Sequence, residues 1–276
     1  MILSLDSLTV VASGLDHPEG VTAGPDGLLY AGSESGDIYR LPADGGSAEV
    51  IANVGGFVLG LCCDGASNVY VCDWGGRRIA RVDRDGSVDT YCDSANGRPL
   101  ICPNYCLFDA DGRLWLSDSG SEEPTPTGRV VRVPAGGGDA EVLDIRPLRF
   151  SNGLALGQDG RLFIVESLPD PGIAIYADGV LQDYARLPGT VPDGVALTQD
   201  GALYVSCFQP NRIVRIAAED QTIDVVVEDW SGLHLLTPTN VAFYGADLDR
   251  LAIASLGGWD IKSIGTSDRG QRLFYP

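Results

Sequence analysis

The chain has 276 residues with 38 acidic and 19 basic side chains, a formal net charge of −19 at pH 7. This balance argues against nucleic acids and anionic membranes as partners, because both attract basic surfaces. No apolar run approaches the length of a membrane span, and the N-terminal segment lacks the basic start of a secretory signal. We therefore expect a cytoplasmic protein.

Glycine (36 residues) and proline (16 residues) are frequent, which is typical of many short strands joined by tight turns. The first predicted element is a strand within residues 7–15 (SLTVVASGL). After it, a strand–turn–strand unit recurs six times, about every 44 residues. The copies begin at His17, Phe57, Cys102, Phe150, Val191 and Pro238.

The copies align without gaps on their third residue, which we call the ring position. The ring positions are Glu19, Leu59, Asn104, Asn152, Asp193 and Asn240. Two residues later every copy has an apolar residue, and seven residues later five of the six copies have aspartate. In four copies glycine follows this aspartate, and Asp-Gly is favoured in tight hairpins because glycine accepts positive φ.

Each unit continues into a third strand, such as residues 37–41 (DIYRL), and most into a fourth, such as residues 49–54 (EVIANV). Four strands in a repeat of this length are typical of a propeller blade. The sequence therefore predicts an all-β, six-bladed β-propeller in which residues 1–276 form a single domain. The strand at residues 7–15 belongs to no repeat, and we expect it to complete the last blade and close the ring.

The ring position begins the innermost strand of each blade, so its six side chains should converge at one mouth of the central channel. Five of them carry oxygen atoms, and only Leu59 is apolar. Glu19 and Asp193 would repel each other and lose hydration in a narrow channel, a cost that a bound cation would remove. The alternative is that each polar residue only caps its strand, but five residues in register favour a metal site.

The donors at the ring positions are carboxylates and amides, without histidine or cysteine. Such a set suits a hard cation, and it suits Ca²⁺ better than Mg²⁺ because Ca²⁺ accepts more ligands in looser geometry. The sequence does not decide between Ca²⁺, Mn²⁺ and Zn²⁺ as the ion in use. Asp73, Asp118 and Glu166 lie at the ends of second strands, and we expect them to cap turns.

Three stretches resemble the senescence-marker-protein/gluconolactonase family of six-bladed propellers, which includes regucalcin-type lactonases. They are HPEG from His17, SNGLALGQDGRLFIVES from Ser151 and PDGVALTQDGALYVS from Pro192. The resemblance extends over all six blades. It implies a catalytic divalent cation held by Glu19, Asn152 and Asp193. It also implies that Asn104 is either a further ligand or a contact to the substrate.

The resemblance further implies a reaction, in which metal-polarised water opens a lactone or a related ester in the central channel. Asp193 is the expected general base, and Glu19 is the alternative. Two other functions stay open. One is a non-catalytic propeller that binds a small molecule or a partner around a structural Ca²⁺ ion, and the other is a strictosidine-synthase-like enzyme.

One departure from the family concerns the substrate. Many sugar lactonases of the family have an arginine just before the third-blade asparagine, where this chain has Cys102-Pro103 and the nearest arginine is Arg98. Aromatic residues, including Phe57 and Trp259, are expected at the mouth instead, which favours a more apolar lactone, ester or organophosphate. The expected substrate contacts are Asn104, Tyr105, Trp74 and His234.

Cysteine occurs seven times, an odd number, in a chain long enough to need no disulfide framework. We expect most of these residues to be small buried apolar side chains. A bridge between Cys92 and Cys102 stays open at this point.

Overall fold

The structure, a computed structural model, describes residues 2–121 and 125–276. Within these residues the regular structure is β, apart from a short 3₁₀ helix at Leu5–Ser7, and nothing helical could span a bilayer. The strands are β1 Thr9–Ser13, β2 Pro18–Ala23, β3 Leu29–Ser33, β4 Asp37–Leu41, β5 Glu49–Asn53, β6 Val58–Cys63, β7 Val69–Asp73, β8 Arg78–Val82, β9 Val88–Cys92, β10 Ser94–Ala95, β11 Arg98–Pro99, β12 Pro103–Phe108, β13 Leu114–Asp118, β14 Arg129–Val133, β15 Glu141–Val142, β16 Ser151–Leu156, β17 Leu162–Glu166, β18 Gly172–Ala177, β19 Val180–Arg186, β20 Val191–Leu197, β21 Leu203–Gln209, β22 Arg212–Ile216, β23 Ile223–Glu228, β24 Pro238–Tyr244, β25 Arg250–Ser255 and β26 Asp260–Gly265.

These strands form six antiparallel sheets of four strands, which are the blades of a propeller. Blades one to five are β2–β5, β6–β9, β12–β15, β16–β19 and β20–β23. Blade six consists of β24–β26 with β1 on its outer edge. The short strands β10 and β11 form a separate hairpin before blade three. The predicted all-β, six-bladed propeller is thereby confirmed.

The ring is closed by the first strand of the chain. The innermost strand of each blade contacts that of the next, and the innermost strand of blade six contacts that of blade one. On the outer edge of blade six, β1 pairs antiparallel with β26. Val11 and Ala12 of β1 are buried in the core, and Leu15 just after it has no exposed surface. The expectation that the N-terminal strand completes the last blade is confirmed.

In blades one and four, the aspartate seven residues after the ring position accepts a backbone N–H within its own hairpin. In blade one, the Asp26 carboxylate accepts hydrogen bonds from the backbone N–H of Leu28 (3.2 Å) and from the hydroxyl of Tyr30 (2.8 Å). Gly27, between Asp26 and Leu28, has φ of 80°, a backbone conformation that glycine adopts without steric strain. Aspartate, glycine and aromatic residue therefore form one local unit in blade one. The same residue types stand at the same spacing in blades three, four and five, where Trp115, Phe163 and Tyr204 take the place of Tyr30.

Glycine follows the ring position in four blades, where neighbouring inner strands come very close. A Cβ atom at Gly153 would lie 2.6 Å from the backbone oxygen of Asp193, and one at Gly194 would lie 2.7 Å from that of Thr239. Gly20 and Gly60 meet the backbone of the next blade in the same way. Because backbone cannot move aside cheaply, a side chain at these four inter-blade glycines would push the blades apart.

Residues 270–276, which we call the closing segment, cross the end of the channel opposite the ring positions. The Gln271 side-chain amide donates to the backbone oxygen of Leu156 (2.8 Å), and the Tyr275 hydroxyl donates to that of Ala23 (2.9 Å). Gly65 in blade two donates its N–H to the Pro276 oxygen (2.8 Å). Above this segment lies an inner cavity of about 50 Å³, lined mostly by apolar side chains.

Candidate metal and active site

Five of the six ring residues line one cavity of about 350 Å³ at the mouth of the channel. They are Glu19, Leu59, Asn104, Asn152 and Asp193, each between 5% and 7% exposed. Asn240, at the ring position of blade six, is 1% exposed. The inner strands that carry them are buried over nearly their whole length, so these polar groups have little contact with solvent.

Four buried oxygen atoms at the ring positions have no hydrogen-bond partner in the described part of the chain. They are Glu19 Oε2, Asn152 Oδ1, Asp193 Oδ1 and Asn240 Oδ1. An unsatisfied buried acceptor costs about 1–3 kcal/mol, so four of them at equivalent positions in four blades require an explanation. All four are oxygen atoms of carboxylate or amide groups, and such oxygens are the ligands that a hard divalent cation prefers. The residues present therefore fit a metal ion of this class.

The site differs from one built mainly of charged ligands. Among residues 2–121 and 125–276, no cluster of three or more His, Cys, Asp and Glu side chains is placed to hold a metal ion. The ring positions supply two carboxylates, Glu19 and Asp193, and their remaining oxygen donors are neutral amides. Two negative charges match one divalent cation, whereas a third carboxylate would add repulsion.

The two carboxyl groups have strongly perturbed titration behaviour. Burial raises the pKa of Glu19 well above its ordinary range, and the negative charge of Asp193 raises it further. Burial also raises the pKa of Asp193, to about 8, although a hydrogen bond from the Asn152 amide opposes this change. The Asn152 amide nitrogen also donates to Ser167 Oγ (3.3 Å). The charge of Asp193 in blade five thus affects the titration of Glu19 in blade one.

Two buried carboxylates hold the backbone that enters the inner strands. Asp118 accepts from the backbone N–H of Cys102 (2.7 Å), two residues before Asn104. Glu166 accepts from the backbone N–H of Arg149 (2.8 Å), three residues before Asn152. Asp73 accepts from the N–H of Gly76 (2.7 Å) in the turn after β7. The prediction that these residues cap turns is confirmed for Asp73. Asp118 and Glu166 instead bind backbone 16 and 17 residues upstream, just before the ring residues Asn104 and Asn152.

Replacing Glu166 by glutamine is expected to destabilise the protein by about 1–3 kcal/mol at pH 7. Burial alone would raise the pKa of Glu166, but hydrogen bonds from Arg146 and Arg149 outweigh it and lower the pKa from 4.5 to about 2. A carboxyl group with a lowered folded-state pKa stabilises the folded protein above its unfolded-state pKa. The stability difference between wild type and variant should therefore be full at pH 7 and shrink as the pH falls from 4.5 toward 2.

Urea unfolding at several pH values measures this difference. Glu141→Gln is the matched control, because Glu141 forms a solvent-exposed ion pair with Arg132 (2.6 Å) and should contribute less than about 0.5 kcal/mol. A Glu166→Gln effect that is independent of pH would contradict the ion-pair explanation.

The wall of the mouth cavity is largely apolar. Phe57 and Trp74 lie in tilted contact, with ring centroids 5.7 Å apart, and Trp74 is 45% exposed. The remaining apolar side chains of the wall are Ile101, Phe150, Phe208 and Leu256. Phe150, Phe208 and Leu256 were not expected at the mouth from the sequence. Phe150 directly precedes β16, Leu256 directly follows β25, and Phe208 lies near the end of β21.

Three residues expected at the mouth lie elsewhere. Tyr105 lines the inner cavity and packs against Gly60, where a Cβ would lie 2.7 Å from its ring. His234 is exposed in the loop before β24, and its N–H donates to the Asp229 carboxylate. Trp259 packs on His17, with ring centroids 4.2 Å apart. Of the four expected substrate contacts, the mouth cavity brings together Asn104 and Trp74.

All seven cysteines are buried, and none of them forms a disulfide bridge in the described part of the chain. Cys92 and Cys102 are therefore not bridged, and the expectation of buried small side chains is confirmed. Cys102 also lines the mouth cavity. It stands in the stretch just before Asn104 where, by the resemblance stated above, many sugar lactonases have an arginine.

Comparison with known proteins gives a consistent result. Residues 87–257 match the family model described as SMP-30/Gluconolactonase/LRE-like region, which covers more than half of the chain. Residues 4–41, which contain β1 and most of blade one, match a strictosidine synthase-like N-terminal model. The second match is confined to a short part of the chain, so it carries less weight for the whole propeller.

Individual relatives have low sequence identity but cover most of the chain. The 6-deoxy-6-sulfogluconolactonase of Pseudomonas putida is 26% identical in an alignment of 248 residues that covers 83% of this chain and 78% of that protein. A gluconolactonase structure from Xanthomonas campestris superposes with a TM-score of 0.78 at 22% identity, covering 94% of this chain and 89% of that one. The calcium-binding protein regucalcin from Agrobacterium tumefaciens superposes with a TM-score of 0.77 at 16% identity, covering 98% and 95%.

Proposed function

Because the chain belongs to the SMP-30/Gluconolactonase/LRE-like family, we propose that it is a divalent-metal-dependent hydrolase that opens a lactone or a related ester. The observation that carries the proposal is the set of four unsatisfied buried oxygens at the ring positions. Three of them, on Glu19, Asn152 and Asp193, belong to residues that line an open, apolar-walled cavity, which supports a catalytic site over a purely structural ion. A metal that only filled the channel would have no need of a wall that can hold a small molecule.

We assign the cation to Glu19, Asn152 and Asp193, whose buried oxygens lack partners. Asn240 has the same property and joins the set, whereas Asn104 contributes either a further ligand or a contact to the substrate. Ca²⁺ is the proposed ion because the donors are all oxygen, with Mn²⁺ and Zn²⁺ as the alternatives to test. When bound, such an ion would supply the positive charge that polarises the carbonyl group of the lactone.

The remaining chemistry belongs to the side chains of this protein. Asp193 is the proposed general base, since one of its oxygens has no partner in the protein and its position at the cavity floor allows it to accept a proton from water. The water oxygen bonds to the carbonyl carbon and the ring C–O bond breaks. The released alkoxide takes up a proton, and the product is a hydroxy acid. Glu19 is the alternative base, and Phe57 and Trp74 hold the body of the substrate.

A panel assay with metal removal tests the proposal. Hydrolysis of γ- and δ-lactones, aryl esters and paraoxon is measured before EDTA treatment, after it, and after Ca²⁺, Mn²⁺ or Zn²⁺ is restored. We expect activity on at least one class, its loss in EDTA and its return with one ion. The same ion should raise the melting temperature, by an amount that corresponds to about 2.7 kcal/mol at a concentration of 100 times its Kd.

A different outcome identifies the alternative function. A metal-dependent rise in melting temperature without turnover of any substrate would contradict the hydrolase. It would indicate a propeller that binds a small molecule or a partner around a structural ion.

A further inference from the structure

The wall of the mouth cavity contains one basic side chain. Among the described residues that line the cavity, the charged ones are Glu19 and Asp193 at the floor and Arg77 on the wall. The remainder of the wall is apolar or uncharged. An apolar wall with one cationic side chain distinguishes between neutral and anionic ligands, because the cation attracts an anion and strengthens its binding, whereas it adds little to the binding of a neutral molecule.

Arg77 is not neutralised by the protein. Within residues 2–121 and 125–276 its side chain makes no ion pair, whereas its neighbour Arg78 pairs with Asp73 (2.9 Å). The Arg77 backbone N–H donates to the backbone oxygen of Trp74 (3.1 Å). The residue is exposed in a chain with a net charge of −19, where carboxylates are plentiful. Its guanidinium group is therefore available to a ligand.

The backbone that carries Arg77 is held in place from several sides. Arg77 has φ of 51° in the turn that joins β7 to β8, and the buried carboxylate of Asp73 accepts the N–H of Gly76 (2.7 Å) in the same turn. The backbone N–H of Trp74 donates to the backbone oxygen of Phe57 (2.9 Å). A Cβ at Gly75 would lie 2.8 Å from the Gly56 Cα atom, so the turn packs directly on the neighbouring loop. Only the Arg77 side chain has to be ordered when a ligand binds, which keeps the entropic cost of binding low.

We propose that the substrate is a lactone with an anionic substituent, such as a carboxylate, on an otherwise apolar frame, and that Arg77 binds this anion. The inference rests on the proposed function and specifies its substrate class. A guanidinium group binds a carboxylate through two parallel hydrogen bonds, which fixes orientation as well as position. With the anion held at the wall, the lactone carbonyl is directed toward the ring positions, and the anion is kept away from Glu19 and Asp193.

The test compares two substrates of nearly the same shape, 5-oxotetrahydrofuran-2-carboxylate and its neutral carboxamide. The value of kcat/KM is measured for each with wild type, Arg77→Gln and Arg77→Lys at saturating metal. We expect wild type to prefer the carboxylate and Arg77→Gln to lower the carboxylate-to-carboxamide ratio by about 10–100-fold, as is typical for a charge-assisted hydrogen-bonded pair. Arg77→Lys should restore part of the ratio, because it keeps the charge but loses the planar fork.

Arg84→Gln is the matched control. It removes the same charge from an exposed position of the same blade, in the turn between β8 and β9, and Arg84 does not line the cavity. It should leave both substrates unchanged. A wild-type enzyme without preference for the carboxylate, or an equal change of the ratio in Arg84→Gln, would overturn the inference while the hydrolase itself stands.

A binding measurement separates failure of this inference from failure of the proposed function. If wild type hydrolyses neither lactone, calorimetric titration with tetrahydrofuran-2-carboxylate, which cannot be hydrolysed, still decides the role of Arg77. Binding that is weakened at least about 10-fold by Arg77→Gln, and not by Arg84→Gln, supports the anion site. Binding that is absent from wild type, or unaffected by Arg77→Gln, overturns it.

Discussion

Replacing Asp193 by asparagine is expected to lower kcat/KM for lactone hydrolysis by about 10³-fold, within the range that removal of a general base usually costs. The same substitution should not lower the melting temperature of the metal-free protein. Burial makes the ionised form of Asp193 unfavourable, as its raised pKa of about 8 shows, and asparagine has nearly the same shape without the charge. Activity and stability should therefore respond differently, which a merely misfolded variant would not show.

Glu19→Gln should behave in the same way, since Glu19 Oε2 also lacks a partner in the described structure and burial raises the pKa of this group. Hydrolysis is assayed at saturating Ca²⁺, and melting temperatures are measured in EDTA and in Ca²⁺. In both variants the increase in melting temperature caused by Ca²⁺ should be reduced. Glu219→Gln, at an exposed turn, is the control for an ordinary loss of charge. Full activity of the Asp193 variant would exclude Asp193 as the general base, and full activity of both ring variants would show that the active site lies elsewhere.

Replacing Gly153 by alanine is expected to destabilise the propeller by about 2–4 kcal/mol and to lower activity by about 100-fold. The new Cβ would lie 2.6 Å from the backbone oxygen of Asp193 and 2.9 Å from the Cα atom of Gly194. Both contacts are backbone atoms of blade five, so blades four and five must separate. The displacement moves Asp193 relative to Asn152, and a small misplacement of a reacting group is costly in rate.

Urea unfolding and the lactonase assay measure the two effects of Gly153→Ala. Gly265→Ala is the matched control, because its Cβ would meet nothing within 4 Å and its φ is not positive. It should change stability by less than about 0.5 kcal/mol and leave activity intact. Equal stability of the two variants would mean that the blades can separate at little cost at this position.

The repeat determined which parts of this structure could be predicted. Aspartate, glycine and an aromatic residue recur together in four of the six hairpins, and the common register of the copies identified the ring positions and the number of blades. The register also placed Glu19, Asn104, Asn152 and Asp193 at one cavity. Such information is strong because every blade repeats the same local physical requirement.

Residues outside the repeat could not be placed in this way. Tyr105 follows a ring position, where four other blades have an inter-blade glycine, so its side chain packs between blades two and three and not at the mouth. The loop that contains His234 is arranged by backbone donors to a single carboxylate, Asp229, which leaves no periodic pattern in the sequence. Asn240 joined the proposed ligand set because its Oδ1 atom is buried without a hydrogen-bond partner in the described structure, a property that the sequence alone does not reveal.

The closing segment makes the channel a blind passage. Gln271 and Tyr275 are hydrogen-bonded to inner strands at the far end, so the hydroxy acid of the proposed reaction has to leave through the opening by which the lactone arrived. In the proposed reaction, ring opening adds a carboxylate to the product, and the chain's net charge of −19 acts on the anionic substrate and on the product alike. Arriving substrate and departing product then share one route, and accumulated hydroxy acid is expected to act as a competitive inhibitor.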